Sequence, residues 1–557
     1  MIPLFKVDRT YRHLQRLREI LALAVRYGFE DVVAETRLRG LVKSLRLRID
    51  PAVMERSRWE RIRMLLEGLG PTFVKFGQLL SNRPDLVPPP LLKELGHLQD
   101  RVAPFPFEEV EAILERAWNR PWREVLESLD PVPVAAASMA QVHSGVLRDG
   151  GARVAIKVRR PRIPQIVEAD LEILQNFAAW ADGRFDAFRS LHLLPVVAEF
   201  DQNVRQEIDF RVEASHLRRF AERYGGEPTL RVPRLYSDLS NGELIVQEFV
   251  EGIKISEVDA LRAAGYDLPR LARVGSDLVL RQIFDSGFFH ADPHPGNLLV
   301  LPGERICFLD FGSVGNLSVE QQECLADLLV ALEERNSRGL ARALQRMSSV
   351  EAPDLQLFRA DVDALLLAFG SVPSSELDVG KVFAGLTRLL SKHRVQVHPV
   401  YFLLLKALVS LEGISRRLDP EYDVVREIEP FVRKLVLRRF RPDVLARGLA
   451  DDFGDAAVAL RGLPDEALAL ARQTRRGELK IRFQHGGLDG LRSSIRDSAD
   501  RMGLAIVLSS LLISSSLVLH AGLPPLVRGM PILGLLGFVS AAALALFLLV
   551  TALFRRR

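Results

Sequence analysis

The sequence predicts an α+β fold that ends in a two-helix transmembrane hairpin. Three observations predict it. Apolar residues at helical spacing fill the N-terminal part of the chain and return after residue 315; short alternating strands are confined to the region between. Two charge-free windows close the chain, each longer than the roughly 20 residues a spanning helix needs. With 557 residues the chain is too long for one core, and 48% hydrophobic with 26% charged residues is a globular composition. The mean hydropathy of +0.08 is raised by the terminal block. A net charge of only +4, at a pI near 9.1, argues against nucleic acid as a partner.

The opening "MIPLFKVDRTYRHLQRLREI" has no apolar core behind a basic start, so it does not read as a secretory signal. Asp8 and Glu19 set it apart from organelle transit peptides. Leu14, Leu17, Ile20, Leu21 and Val25 recur at helical spacing, and 10–70 reads as Arg-rich helices suited to a membrane surface or a partner. "PPLLKELGHLQD" and "FEEVEAILERAW" continue the helical pattern. "AQVHSGVL" and "RVAIKV" then alternate around "RDGG", an Asp-Gly hairpin turn. "GELIVQEFV" and "RICFLD" are two further strands, and helices return from about 315 to 460. Cys307 and Cys324 stand outside any Cys/His cluster and read as buried thiols.

Met502 to Val527 and Gly529 to Phe554 contain no Asp, Glu, Lys or Arg. "GLPPLVRGMP" between them cannot continue a helix. Arg492, Arg496 and Arg501 precede the pair, Arg555, Arg556 and Arg557 follow it, and only Arg528 lies in the turn. The positive-inside tendency then puts both ends and the preceding domain in the cytoplasm, as a two-pass protein of the inner membrane. Ser510 and Ser514, one turn apart, offer a small-residue packing face. The basic "ARQTRRGELKIRF", 471–483, suits either anionic lipid headgroups or a solvated linker.

The loop "HADPHPGN", 290–297, packs two histidines, Asp292 and Asn297 together. Alone it suits a metal site as well as a phosphotransfer loop. Lys157 ends the strand "VAIKV" and, if it points inward, needs a carboxylate or phosphate partner. Asp310 in "FLDFG" follows an apolar strand and precedes a flexible Phe-Gly step, a fitting place for a hard oxygen ligand of Mg2+. Asn297 is a second candidate oxygen ligand, and Asp292 precedes it by five residues. The order Lys, D-x4-N, D-F-G is that of a protein-kinase-like bilobal fold with Mg2+ and ATP between its lobes. There is no Walker A sequence. "VQEFVEG", 246–252, is the expected link between lobes, with Glu248 and Val250 as candidates for backbone contacts to adenine.

Departures from a protein kinase narrow the reading. Ala135, Ala136, Ala137 and Ser138 stand where a Gly-rich loop covers the phosphates. Their side chains restrict φ, so nucleotide contacts there differ. Ala291 replaces the HRD arginine, and no APE sequence follows at the usual distance, so no peptide substrate is expected. His294 takes the place of the catalytic-loop lysine and is expected beside the phosphates.

"KFGQ", 75–78, in "GPTFVKFGQLLSNRPDLVP", together with "QEIDFRVEA", 206–214, and the alanine loop, resembles the UbiB/AarF/ADCK family of atypical kinases, bacterial membrane-anchored type. The resemblance covers roughly 60–420, and the terminal hairpin extends it. It implies an N-terminal helical extension over the active site, carrying Lys75 and Gln78 into the cleft. It implies an E-x-D motif of Glu207 and Asp209, with Glu207 paired to Lys75, and a helical Glu213 paired to Lys157. On one continuous helix, positions 207 and 213 stand about 240° apart, which fits two separate ion pairs. The expected segments are 1–115, the helical extension; 116–250, the N-lobe; 251–440, the C-lobe; 441–501, a helical and basic linker; and 502–554, the hairpin.

By that resemblance the chain is an atypical kinase or ATPase supporting ubiquinone biosynthesis at a membrane. Lys157 positions phosphates, Glu213 orients Lys157, Asp292 serves the attacking oxygen, and Asn297 and Asp310 hold Mg2+. Lys75, Gln78, Glu207 and Asp209 gate the cleft. Expected partners are membrane lipid and quinone-biosynthesis enzymes or lipid intermediates. The alternatives are a small-molecule or lipid kinase with a defined acceptor, and a nucleotide-binding scaffold for lipid-modifying enzymes. The sequence leaves the oligomeric state open.

Overall fold

A computed structural model gives the architecture. It describes residues 4–30, 51–81, 83, 86–98, 103–184, 193–348, 354–370, 379–393, 395–439, 489–521, 525–527 and 530–554. The basic stretch 471–483, residues 31–50 of the span expected to be Arg-rich helices, Arg528 and Arg555 to Arg557 lie outside the described residues. The chain divides into two compact units, Met1–Ala446 and Arg447–Arg557.

The first unit is α+β and mostly helical, as expected. It opens with helices Leu4–Arg26, Arg58–Leu69, Pro71–Ser81 and Pro89–Leu95. A capping box starts Arg58–Leu69: Ser57 Oγ accepts the Glu60 N–H, and the Glu60 side chain accepts the Ser57 N–H. Gly70, at φ +95, then turns the chain straight into the Pro71–Ser81 helix. Phe73 and Phe76 of that helix are buried among Val167, Leu171, Phe200 and Val204. Those partners come from helices Ile163–Arg184 and Leu193–Ile208, so a later part of the chain completes the core of the N-terminal layer. Arg16 fastens the first helix to this layer through the buried Asp170 carboxylate, 2.6 Å away.

The strands follow in chain order: β1 (Leu126–Leu129), β2 (Ala135–Ala136), β3 (Ala140–Leu147), β4 (Arg153–Arg159), β5 (Leu230–Arg231), β6 (Leu244–Glu248), β7 (Ile253–Lys254), β8 (Phe288–His290), β9 (Leu298–Leu301), β10 (Arg305–Phe308) and β11 (Val314–Asn316). The first sheet runs β1-β3-β4-β6, with β2 paired to β3. The quoted "AQVHSGVL" is β3 from end to end, and Gly150 and Gly151, both at positive φ, close its hairpin with β4. Along β4, Val154, Ile156 and Val158 are fully buried against Val110 and Leu114 of helix Phe107–Trp118. Strand alternation therefore sends Lys157 to the opposite face.

The second sheet runs β5-β10-β9-β7, and β8 pairs with β11. Helices Leu268–Leu280, Val319–Glu333, Ser337–Arg346, Leu355–Gly370, Val379–Lys392, Pro399–Leu418 and Val424–Arg439 build the C-terminal half around Phe284, Phe289, Phe308, Phe311 and Phe358. After Leu268–Leu280 the helix widens into a π-turn, Arg281–Ser286. Its buried Gln282 accepts the His290 N–H at 3.0 Å, and this holds the start of the "HADPHPGN" loop.

In the second unit, helices Asp489–Ala521 and Ile532–Phe554 pack on each other, joined through a short strand pair. Their small-residue face is not the expected one. Ser510 and Ser514 are exposed, whereas Ser515 is buried against Gly534 and Gly537. A Cβ at Gly537 would fall 1.9 Å from the Ser515 hydroxyl, so glycine there sets the close approach. Met502–Ala521 is long and apolar enough to cross a membrane; among the described residues the second helix gives a shorter apolar stretch, Ile532–Ala545.

Candidate active site

The Lys157 ammonium meets both oxygens of Glu213 at 2.8 Å and the Asp310 carboxylate at 3.5 Å. The Phe210 ring lies 5.5 Å from the ammonium. Burial opposes the charge on Lys157, but Asp310 and Glu213 outweigh it and raise the ammonium above its ordinary value. Burial works against the Asp310 carboxylate too, yet Lys157 and the Gly312 N–H bring it down to about 2. That N–H donates to Asp310 Oδ1 at 2.7 Å. Burial pushes the Glu213 carboxyl up, with Lys157 pulling against it.

Glu213 stands on helix Phe210–Tyr224, which Asp209 caps by accepting the Arg211 N–H. The preceding helix ends at Ile208, so Glu207 and Glu213 lie on two helices rather than the continuous one assumed from the sequence. The break lets Glu207 pair with Lys75 at 2.6 Å while Glu213 pairs with Lys157. The two pairs still sense each other: Glu207 raises Lys157, and Lys75 lowers Asp310. Asp209 itself is turned to Arg211, 2.7 Å away, and Gln78 donates to the Leu98 carbonyl at 3.5 Å. Of the four motif residues expected to gate the cleft, Lys75 and Glu207 are thus the two in electrostatic reach of Lys157 and Asp310.

The catalytic-type loop is locked from beneath. His290 is buried and stacked 4.9 Å from Phe308, with Phe311 edge-on. Its Nδ1 accepts the Asp292 N–H at 3.2 Å, which leaves Nε2 to donate to the Asp310 carbonyl. One neutral ring therefore ties Asp292 to Asp310, and burial lowers its basicity. The β9–β10 hairpin adds a second tie: Phe308 pairs with Leu298, and the Leu309 N–H donates to the Asn297 carbonyl at 3.0 Å. Asn297 and Asp310 thus leave the same end of one hairpin. His294 serves its own loop: its Nδ1 accepts the Gly296 N–H at 3.1 Å and caps the turn Pro295–Asn297.

The alanine loop is pinned. β2 pairs Ala135 with Val142 and Ala136 with Gln141, and the Arg160 guanidinium donates to the Ala137 carbonyl at 2.8 Å. Ser138 is buried, and the next residue, Met139, is sunk into the core that holds Phe73 and Phe76. In the lobe-joining segment, the Glu248 N–H donates to the Arg234 carbonyl and its carboxylate holds Arg231 at 2.7 Å. Any adenine contact at Glu248 therefore falls to its carbonyl. Glu248 and Val250 also line a groove of about 550 Å3 with Arg153, Arg231 and Arg305; that groove contains none of Lys157, Glu213 or Asp310.

Sequence reasoning passed over three contacts. Gln247 of β6 donates to the Leu309 carbonyl, just after β10, at 3.1 Å. Arg160 holds the alanine loop. Lys406, on helix Pro399–Leu418, meets Asp292 at 3.0 Å. Only the last had a legible signal: "FLLLKALVSL" sets one lysine in an apolar run, and such a charge calls for a partner.

Two sheets, a strand lysine paired to a helical glutamate, and an aspartate-asparagine loop beside D-F-G define a kinase-like protein. Family models sharpen this. The ABC1 atypical kinase-like domain matches residues 97–344, the UbiB helical domain 362–423, and the ABC1/UbiB kinase-like C-terminal domain 486–554. A relative in Synechocystis sp., the uncharacterized protein sll0005, is 35% identical over 391 residues, covering 70% of this chain and 57% of that one. The chain thus spans little more than half the length of that relative. A solved structure of Rv3197 with erythromycin, from Mycobacterium tuberculosis, is 24% identical, with 62% of this chain and 92% of that chain covered and a TM-score of 0.37. The chain belongs to the UbiB/ABC1 family of atypical kinase-like proteins. A kinase-like domain of this kind points to nucleotide binding and phosphotransferase-type chemistry.

Proposed function

We propose that this protein is a membrane-anchored, Mg2+-dependent ATPase or atypical kinase that supports isoprenoid-quinone synthesis, acting on no peptide. The carrying observation is the Lys157–Glu213–Asp310 cluster, tied through His290 to Asp292. The donor set suits Mg2+. That ion takes one or two carboxylates plus phosphate oxygens and water, rather than a cage of protein ligands. Asp310 is a strongly acidic carboxylate, Asn297 leaves the same hairpin end, and among the described residues no cluster of three or more His, Cys, Asp or Glu forms a cage. Bound there, Mg2+ would neutralise charge on the phosphate oxygens. Lys157 holds the α/β phosphates, Glu213 keeps Lys157 aimed, and Asp292 orients the attacking oxygen and takes its proton. Lys75 and Glu207 gate the cleft, and the pinned alanine loop covers the nucleotide without glycine.

Membrane attachment rests on the two apolar helices of the second unit, read as a two-pass hairpin of the inner membrane with the kinase-like unit in the cytoplasm. The quinone pathway and lipid partners rest on family resemblance. The test is Asp310→Asn in the full chain. Its Mg-ATP turnover is expected to fall below detection with the melting temperature kept, and a deletion strain carrying it is expected to lack normal quinone. Turnover equal to the parent would overturn the reading.

A further inference from the structure

The loop His290–Asn297 contains no lysine or arginine. His290 is buried and neutral beneath it, and His294 is occupied with the Gly296 N–H. Lys157 is committed to Glu213 and Asp310, at the other end of the cluster. A phosphoryl group passing Asp292 would therefore find no cation in the loop. The chain supplies one from 114 residues further on: Lys406 Nζ lies 3.0 Å from Asp292 Oδ2. The two side chains are 36% and 34% exposed, so this is not a buried structural pair.

The helix that carries Lys406 is packed into the core. Leu404, Ala407 and Leu408 bury the faces around Lys406 in the C-terminal core. One turn before it, the Phe402 ring lies 5.5 Å from the Arg83 guanidinium, which pairs with Glu199 at 2.7 Å. The segment after the KFGQ helix thus bears on the helix that carries Lys406.

We infer that Lys406 is the cation of the phosphoryl-transfer centre, meeting the transferred group beside Asp292. The inference rests on the nucleotide reading proposed above. In the step, an acceptor hydroxyl or water oxygen forms the new bond to the γ-phosphorus. The bond from that phosphorus to the bridging oxygen breaks, the electron pair leaves with ADP, and the acceptor's proton passes to Asp292. Lys406 exchanges no proton; its charge meets the oxygens of the moving phosphoryl group.

The test uses the full chain in detergent, with Lys406→Ala, Lys406→Arg and Asp310→Asn beside the parent. Mg-ADP affinity, affinity for Mg-ADP with fluoroaluminate, and kcat and KM for ATP are measured. Lys406→Ala is expected to keep Mg-ADP affinity and KM within about threefold, lose roughly 10²–10³-fold in kcat, and lose the tighter fluoroaluminate complex. Lys406→Arg is expected to recover part of both losses. If the parent binds Mg-ADP and Asp310→Asn is inactive while Lys406→Ala keeps kcat within threefold, this inference alone is overturned. A fall in melting temperature and Mg-ADP affinity that arginine does not rescue also overturns it, as a packing role. A parent that binds no nucleotide overturns the functional reading, and this inference with it.

Discussion

A lysine turned inward by strand alternation is costly when left alone. Lys157 is met by Glu213 at 2.8 Å, and Glu213 has an 11% exposed side chain. Removing the carboxylate charge leaves Asp310, 3.5 Å away, as the nearest carboxylate to the ammonium. Glu213→Gln is therefore expected to cost about 2–3 kcal/mol, read by urea denaturation, and to lower turnover at least tenfold as Lys157 loses its aim. At this scale the sequence was legible where a side chain sits in a short motif with fixed spacing, as Lys157, Asp292, Asn297 and Asp310 do. It was not legible for Arg160 or Gln247, whose contacts end on backbone carbonyls that carry no residue signature.

Among elements, the KFGQ helix shows why its glycine is there. A Cβ at Gly77 would lie 2.4 Å from Leu98 Cδ1 and 3.0 Å from Leu66 Cδ1, with Leu95 also close. Leu95 and Leu98 are buried and have little room to retreat. Gly77→Ala is expected to destabilise by about 1–2 kcal/mol despite its better helix propensity, and to speed limited proteolysis near residues 86–98. An unchanged unfolding midpoint would contradict that. The same layer takes Met139 from the alanine loop, so the loop and the KFGQ helix share one core. The family resemblance implied a helical extension carrying KFGQ but not this neighbour, and a single methionine in a turn has no period. Nor was the break at Asp209 foreseen, where capping of the next helix overrides the continuous pattern.

Across the molecule, three histidines share one electrostatic character. Burial lowers His143, His216 and His290 from 6.5, outweighing in each the hydrogen bond to a backbone carbonyl that favours the protonated ring. The unfolded chain takes up protons near 6.5 where the folded chain does not, so stability is full above that value and falls as pH drops below it. The melting temperature is expected to fall between pH 7.5 and 5.5, with a shallower slope in His143→Gln; a slope that stays the same would remove His143 from the account. The depressed Asp310 carboxylate adds a second loss further down, as pH falls from 3.8 toward 2.

By itself the sequence determined the α+β order of elements, β3 and β4 with their hairpin, the kinase-like motif set, and two long apolar terminal segments. These are properties of periodicity and short spacing, which local physics fixes. Tertiary structure decided what meets what. It put Lys406 on Asp292, Met139 under the KFGQ helix, Ser515 rather than Ser510 or Ser514 on Gly537, and His294 on its own loop. Each of these depends on how packed helices turn about their axes or on which donor a side chain finds nearest. A rotation of one residue, 100° on a helix, changes that outcome while leaving the apolar pattern almost the same.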